Sequence, residues 1–315
     1  MGELLLTGSG AFAVVDSLVT NDLRRIENGQ AQYTCACNAQ GTILDDLIVY
    51  KFGPEEIMIV CNASNHDKMA AHFKAAAAGR CEFKDLSDET ALIAVQGPNA
   101  VRVVAQLGSS TDLGALKSFH VVRTQLSGRP VTVARTGYTG EDGFEIFCAN
   151  SDAPALWAAL LEQGKEWGIS PVGLAARDTL RLEARLSLYG NEIDETTNPW
   201  EAGLGWVVRL EGREFLGAEA LRKLKLSLGE RTLVGFEMLG RGIARHGYPL
   251  LDKSANPVGQ CTSGAPSPTL GKSIGLGYLP LEMSAVGSQF LVDCRGKHIE
   301  AQVVKTPFYK RARPS

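Results

Sequence analysis

Two polar, glycine-rich segments hold most of the residues that could do chemistry in this chain. Residues 135–145 carry Tyr138 and Glu145, and residues 173–206 carry Arg177 among further aromatic and charged side chains. Glycine allows tight turns of the backbone, and arginine and carboxylate groups make strong, directional hydrogen bonds. This combination predicts a site for a planar, hydrogen-bonding, anionic small molecule.

The arginines of the second segment fall on one face of a helix predicted over residues 174–186. Arg177 and Arg181 are four residues apart, and a solvated ladder of ion pairs is the usual outcome of such spacing. The leucines of this helix indicate burial instead, and a buried arginine needs a carboxylate partner or an anionic ligand. Tyr138 could supply a stacking face, and Glu145 could accept two N–H bonds from a heterocycle.

Two adjacent carboxylates interrupt an apolar strand predicted over residues 43–50. Alternation places Asp45 and Asp46 on opposite faces, so we expect one to be solvated and the other to meet the interior or a cavity. There it could polarise an amine or stabilise a developing positive charge. A carboxylate that caps backbone amides at the end of a turn is an equally good interpretation.

These groups must be positioned by a mixed α+β body followed by a β-rich region. Helices are predicted over residues 11–19, 65–79, 98–107 and from 151 onward, the last with Leu156, Trp157, Leu160 and Leu161 inward. From Arg231 onward, short strands alternate with glycine and proline as in a barrel or sandwich. We expect two domain boundaries, which divide the chain into regions 1–104, 105–222 and 223–315, with a connecting segment near residues 223–229.

Other local patterns are weaker. Residues 8–13 match a dinucleotide-binding fingerprint, but the polar run after the following helix lacks the second strand of a βαβ unit, so a tight turn is the better interpretation. The five histidines and seven cysteines show no metal-binding spacing, and the scattered cysteines are typical of reduced thiols in a cytoplasmic protein. Only the pair Cys35 and Cys37 is close, and buried apolar cysteines explain it best.

Charge and hydropathy argue against nucleic acid and membrane partners. The net charge is −3, and no apolar stretch is long enough to span a bilayer. A local basic patch at the C-terminus (Lys305, Lys310, Arg311, Arg313) is either a solvated end or a docking surface for an acidic partner.

Several stretches together resemble one family. They are residues 20–22, 31–33, 45–50, 95–98, 135–145, 173–206, 241–245, 262–271 and 307–309. On these, over nearly its whole length, the chain resembles the aminomethyltransferases, the T-proteins of the glycine cleavage system. The resemblance implies a three-domain cloverleaf around a central folate cavity, with a β-barrel or jelly-roll-like C-terminal domain.

The resemblance also implies an activity and its partners. Such enzymes take an aminomethyl group from the lipoyl arm of the H-protein and pass its methylene to tetrahydrofolate, with release of ammonia. Tetrahydrofolate is a co-substrate, and no metal takes part. By position, Asp46 resembles the essential carboxylate beside the folate amines, Glu145 the acceptor for the pterin edge, and Arg177 a folate-binding arginine. The resemblance implies that Tyr33, Tyr138, Tyr189 and Trp206 wall the cavity, with Arg245 beside it.

The chain departs from the family pattern at its start. Family members carry a preceding segment, rich in tryptophan, proline and histidine, that ends in Met-Gly-Glu, where this chain begins. We therefore expect part of the first domain and one wall of the folate site to be missing, which would put catalytic competence in doubt and expose apolar surface.

Three alternatives remain open at the sequence level. A folate-dependent demethylase would use another one-carbon donor, and a truncated relative would keep the structure without activity. A folate-binding protein of iron–sulfur maintenance would carry a Lys-Gly-Cys motif, which the surroundings of Cys261 do not match.

Overall fold

The computed structural model describes residues 1–227 and 229–311. Its N-terminal part is an antiparallel sheet covered by two helices. Its elements are β1 (Gly2–Thr7), α1 (Ala11–Asp16), β2 (Gln30–Cys37), β3 (Ile43–Gly53), β4 (Glu56–Cys61), α2 (His66–Ala77) and β5 (Glu82–Asp85). The strand order is β2-β3-β4-β1-β5. Leu47 and Val49 of β3 pack with Phe73 of α2 in the core between sheet and helices.

A second antiparallel sheet follows. Its elements are β6 (Thr90–Gln96), α3 (Ala100–Ala105), β7 (Val121–Leu126), β8 (Arg129–Ala134), β9 (Gly143–Ala149) and α4 (Ala153–Gln163). The strand order is β6-β9-β8-β7, and α3 and α4 pack against this sheet. β6 therefore pairs with β9, across the domain boundary expected at residue 104; the expected three-region division stays a prediction.

The two sheets contact each other through one face of β3. Tyr50 is fully buried there, and its ring forms a T-shaped pair with Phe147 of β9, with 5.6 Å between ring centroids. Because side chains two residues apart in a strand share a face, Asp46 lies on this same side of β3. The alternation thus directs Asp45 towards the helix-covered core and Asp46 towards the second sheet.

A closed barrel forms the C-terminal part, after α5 (Leu174–Glu183) and α6 (Ala218–Leu226). Its strands are β10 (Arg231–Met238), β11 (Pro249–Leu251), β12 (Pro257–Ser267), β13 (Lys272–Pro280), β14 (Gln289–Asp293) and β15 (His298–Val304). Short 3-10 turns lie at Leu23–Arg25, Ala63–Asn65, Lys165–Trp167, Gly205–Val207 and Leu281–Met283. This confirms the expected α+β class with a C-terminal β-barrel.

Three local predictions need correction. Trp157, predicted to point inward, is 44% exposed, because Leu156 and Leu160 occupy the buried face and Trp157 lies about 100° around the helix from Leu156. Leu174, at the start of α5, is 82% exposed, so this helix is buried only towards its end. The expected connection at residues 223–229 is shorter, since α6 continues to Leu226; Leu228 lies outside the described residues.

Helix α5 ends three residues before the predicted position. Arg185 adopts a left-handed backbone with φ of 60°, and the Leu186 N–H bonds back to the Arg181 carbonyl at 2.8 Å. This geometry is the usual way in which a helix terminates, although glycine is the commoner residue there. In the described part of the chain, moreover, no helix combines the length and the apolar character needed to cross a membrane.

Candidate active site

Asp46 lies at the centre of a hydrogen-bonded set on the inner face of β3. The Tyr33 hydroxyl donates to its Oδ2 and the Asn62 side-chain amide donates to its Oδ1, each at 2.8 Å. Burial raises the pKa of Asp46, while these two hydrogen bonds oppose the rise because they favour the ionised form. Both carboxylate oxygens are thus held in place, with part of the side chain still accessible.

Asp45 is fully buried on the other face, as expected for one of the two carboxylates, whereas Asp46 is partly exposed rather than fully solvated. Its oxygens accept from the Asn62 backbone N–H at 3.0 Å, the Asn62 side-chain amide at 2.8 Å and the Asn65 amide at 2.6 Å. Burial and the neighbouring Asp46 raise the pKa of Asp45 to about 7. Amide donors compensate for its burial, which agrees with the amide-capping interpretation for this residue.

An aromatic wall stands beside Asp46. Tyr33 stacks on Trp206, with 5.7 Å between ring centroids and 22° between ring planes. Trp206 is 58% exposed, which is high for a tryptophan and leaves its outer surface open. Tyr189 packs in the same apolar cluster as Tyr33, so three of the predicted wall residues lie together.

Glu145 of β9 is positioned from the second sheet. Thr136 and Tyr50 both donate to its Oε2, Tyr50 at 3.3 Å. Within the described residues no protein donor reaches Oε1, so this oxygen is free to accept from a ligand. Burial raises the pKa of Glu145. Tyr50 lies four residues from Asp46 on the same face of β3, about 13 Å along the strand.

Tyr138 and Arg177 join the set from the two glycine-rich segments. The Tyr138 hydroxyl donates to the Ser187 carbonyl, and the Arg177 guanidinium lies over the Tyr138 ring at 4.7 Å from its centroid. The charge of Arg177 lowers the pKa of Glu145 against the larger effect of burial, which indicates that the two lie near each other. Arg177 itself is exposed to solvent.

Arg181 is the buried arginine of α5, and its partners are carboxylates of the protein itself. It is fully buried and donates to Glu192 at 2.6 Å, to Asp178 at 2.7 Å and to Ser263 of β12 at 2.7 Å. Thr262 donates to the second oxygen of Glu192 at 2.7 Å. Arg181 is therefore neutralised by protein groups and anchors α5 to the barrel. Arg177, in contrast, is exposed to solvent near Glu145.

Two predicted site residues have other contacts. Tyr189 accepts a hydrogen bond from Lys68 at 3.1 Å and donates to the Ile43 carbonyl at 3.3 Å. Arg245 is exposed and donates to the Gly264 carbonyl at 3.3 Å; in the described residues, no contact joins it to Asp46 or Glu145. Its place beside the active site stays a prediction.

Sequence reasoning missed the residues that hold the two carboxylates. Asn62, Thr136 and Tyr50 all donate to Asp46 or Glu145, and none was singled out. The one available signal was the pair Asn62 and Asn65 directly after the buried strand β4, of which Asn65 was predicted only as a helix cap. Its side chain makes no capping hydrogen bond and binds Asp45 instead.

Asp46 and Glu145 are two fixed carboxylates on neighbouring sheets, Asp46 on the inner face of β3 and Glu145 on β9. Glu145 keeps one acceptor oxygen without a protein donor among the described residues, Asp46 is a fixed carboxylate, and ring faces are available from Tyr33, Trp206 and Tyr138. Arg177 supplies a positive charge at the rim. Groups of these types can bind a heterocycle that has a hydrogen-bond-donating edge and an anionic group, and a carboxylate such as Asp46 can stabilise a positive charge near it.

Comparisons with known proteins agree in one result. Residues 1–212 match the GCVT N-terminal domain, and residues 231–310 match the glycine cleavage T-protein C-terminal barrel domain. Relatives named aminomethyltransferase from Geobacillus kaustophilus and Bacillus subtilis are 44% and 43% identical, each over 99% of this chain and 86% of the relative.

A solved structure agrees as well. The crystal structure of glycine cleavage system aminomethyltransferase T from Bartonella henselae superposes with a TM-score of 0.91 at 33% identity, over 98% of this chain and 84% of that one. By domain content, sequence identity and structure, the chain belongs to the glycine cleavage T-protein family.

Proposed function

We propose that this chain is an aminomethyltransferase of glycine cleavage. It transfers the methylene carbon of an aminomethyl group, carried on the lipoyl arm of the H-protein, to tetrahydrofolate; ammonia and the dihydrolipoyl protein are the other products. Family membership supports the reaction class. The single observation that carries the site assignment is that Asp46 of β3 and Glu145 of β9 are both fixed by hydrogen bonds while each stays partly exposed.

Glu145 is proposed to hold the pterin edge of tetrahydrofolate. Its Oε2 is occupied by Thr136 and Tyr50, which leaves Oε1 to accept from the amino and ring N–H groups of the pterin. Tyr33 and Tyr138 would bound the ring, and Arg177 would attract an anionic part of folate. Tyr189 and Trp206 would complete the wall, and Arg245 would lie further out.

Asp46 is proposed as the catalytic carboxylate. In its ionised form it can accept a hydrogen bond from a folate amine and so orient that amine towards the reacting carbon. The same negative charge stabilises the positive charge that develops as ammonia leaves. Because Tyr33 and Asn62 already hold both oxygens, the carboxylate needs little rearrangement during the reaction.

The donor protein is proposed to be a lipoylated H-protein, and the location the cytoplasm. The seven cysteines are all unpaired, which suits a reducing compartment. The basic tail is the surface that the sequence offers for an acidic partner. Part of it is already engaged, since Arg311 lies 3.6 Å from Asp142; Arg313 lies outside the described residues.

The test is a transfer assay with the purified chain. Aminomethyl-loaded H-protein and tetrahydrofolate should give 5,10-methylenetetrahydrofolate and ammonia in equal amounts, and omission of either substrate should abolish both. Tetrahydrofolate binding without transfer from this donor, but with transfer from a methylamine or sulfonium compound, would contradict the proposed donor. A chain that binds no tetrahydrofolate would contradict the function itself.

A further inference from the structure

Asn62 connects the two adjacent carboxylates of β3. It is the first residue after β4, and its side-chain Nδ2 lies 2.8 Å from Asp45 Oδ1, 2.8 Å from Asp46 Oδ1 and 3.0 Å from the Asp46 carbonyl oxygen. Its two N–H groups are therefore shared among three acceptors. One amide thus reaches a fully buried carboxylate on one face of the strand and the proposed catalytic carboxylate on the other.

We propose that Asn62 is a positioning residue for the Asp46 carboxylate, and that buried Asp45 fixes the Asn62 side chain in the orientation this requires. The inference rests on the proposed function for the role of Asp46. It assigns Asp45 a structural purpose that explains why a second carboxylate lies inside an apolar strand.

The anchor on the Asp45 side is strong. Asp45 accepts from both the backbone N–H and the side chain of Asn62, and from Asn65 at 2.6 Å. If Asn62 rotated away, fully buried Asp45 would lose one of these donors, and a buried acceptor that loses its partner is costly. The Asn62 amide is therefore held, and it holds Asp46 Oδ1 while Tyr33 holds Oδ2.

The charge around Asp46 makes this donor important. The titratable groups that act on it or feel its charge are Tyr33 and Cys35 of β2, Asp45 of β3, Tyr138 of the loop before β9, and Glu192 after α5. Arg181 and Arg185 act on Glu192, and Arg185 also on Tyr33. Within the described residues, however, no cation forms an ion pair with Asp46, whose side-chain hydrogen bonds come from neutral Tyr33 and Asn62. Removal of the Asn62 amide should therefore favour the protonated form.

The experiment compares Asn62→Ala with Asn65→Ala. The Asn62 variant should lower kcat by about 10- to 100-fold, as expected when a reacting group is misplaced, with the KM for tetrahydrofolate within about threefold of wild type. The acid limb of its kcat–pH profile should move to higher pH, because the variant lacks the hydrogen bond from Asn62 that favours the ionised form of Asp46. Carboxyl carbon NMR titration should show the same upward change in the pKa of Asp46.

Asn65→Ala is the matched control, since it removes an amide donor to Asp45 without touching Asp46. It should lower the free energy of unfolding but keep the acid limb in place and kcat within about twofold. If Asn62→Ala does not fold, Asn62→Ser, whose hydroxyl can donate one hydrogen bond, should show the same changes to a smaller extent.

The outcomes separate the two proposals. An unchanged pKa of Asp46 in a folded Asn62 variant, or equal shifts in both variants, would overturn the positioning role. Wild-type protein that shows no transfer would overturn the proposed function alone, because the NMR titration still tests whether Asn62 controls the ionisation of Asp46.

Discussion

Asp46 accepts one hydrogen bond on each oxygen and presents its remaining surface to the proposed folate site. Replacement by asparagine keeps the volume and the contact with Tyr33 but removes the negative charge. We expect Asp46→Asn to bind tetrahydrofolate within about fivefold of wild type and to lower kcat by about 10²- to 10³-fold, the usual effect of removing one transition-state charge partner. Calorimetry and the transfer assay measure the two quantities, and wild-type turnover in this variant would contradict the role of Asp46.

Glu145 should act on binding more than on rate. In Glu145→Gln the amide oxygen can still accept from Thr136 and Tyr50, so the new N–H groups face the pterin donors and repel them. The dissociation constant for tetrahydrofolate should rise by about 10- to 100-fold, the range expected for losing a hydrogen bond to a charged group. Glu162→Gln on the exposed face of α4 is the control and should bind as wild type does. Equal binding by both variants would remove Glu145 from the site.

Helix α5 carries two arginines with opposite predicted roles. Arg181→Met leaves Glu192, which is 0% exposed like its partner, as an unpaired buried charge, so it should lower the free energy of unfolding by about 3–5 kcal/mol. Arg177→Met, one turn earlier on the exposed surface, should change stability by less than about 0.5 kcal/mol and instead weaken tetrahydrofolate binding. Denaturant unfolding and calorimetry on both variants test the division, and the reverse pattern would contradict it.

For helices and strands, local sequence patterns predicted the location of an element better than the burial of its side chains or the position of its end. Apolar spacing located α2 and α4, but the exposure of Trp157 depends on which neighbours cover the helix. The strand β11, only three residues long, lacks the length for a period to show. Helix α5 ends at a left-handed arginine, which no standard stop signal marks.

The candidate site was predictable only in part, because contacts between separate elements decide which donors reach each side chain. A carboxylate inside an apolar strand is visible in the sequence, and Asp45 and Asp46 were found in this way. Their shared donor Asn62 reaches them only because β3 and β4 pair in one register, with Ile48 opposite Val60. Likewise, the choice of Arg181 rather than Arg177 as the buried arginine follows from the position of the barrel, not from their spacing.

On the scale of the whole molecule, buried carboxylates set how stability depends on pH. Burial raises the pKa of Glu3 from 4.5 to about 7, and within the described residues its Oε2 has no hydrogen-bond partner. The folded state therefore binds a proton more readily than the unfolded state, so this group destabilises the fold progressively as pH rises from about 4.5 to 7. The full cost above pH 7 is about 3 kcal/mol.

Glu3→Gln should remove this dependence, since an amide does not titrate in this range. The variant and wild type should differ little in stability near pH 4, and the variant should become the more stable of the two by pH 8. Denaturant unfolding at a series of pH values gives the difference curve. A flat difference, or one of opposite sign, would show that Glu3 is not held in an apolar environment.

The C-terminal segment after the barrel contacts both α5 and the glycine-rich loop. Tyr309, beyond the last barrel strand, donates its N–H to the Glu183 carbonyl of α5 at 2.8 Å and its hydroxyl to Glu141 in the glycine-rich loop. The barrel thereby contacts both segments that supply Tyr138 and Arg177. The segment after the barrel therefore supports the two segments that supply site residues, without adding a residue to the site itself.

The most direct measurement is a crystal structure of this chain with tetrahydrofolate bound. We predict that the pterin amino edge contacts Glu145 Oε1 and that the ring lies beside Tyr33 and Tyr138. A folate amine should lie within hydrogen-bond distance of Asp46, whose carboxylate should keep its hydrogen bonds from Tyr33 and Asn62. Folate bound elsewhere, or bound here with its amines turned away from Asp46, would contradict the assignment of this site to methylene transfer.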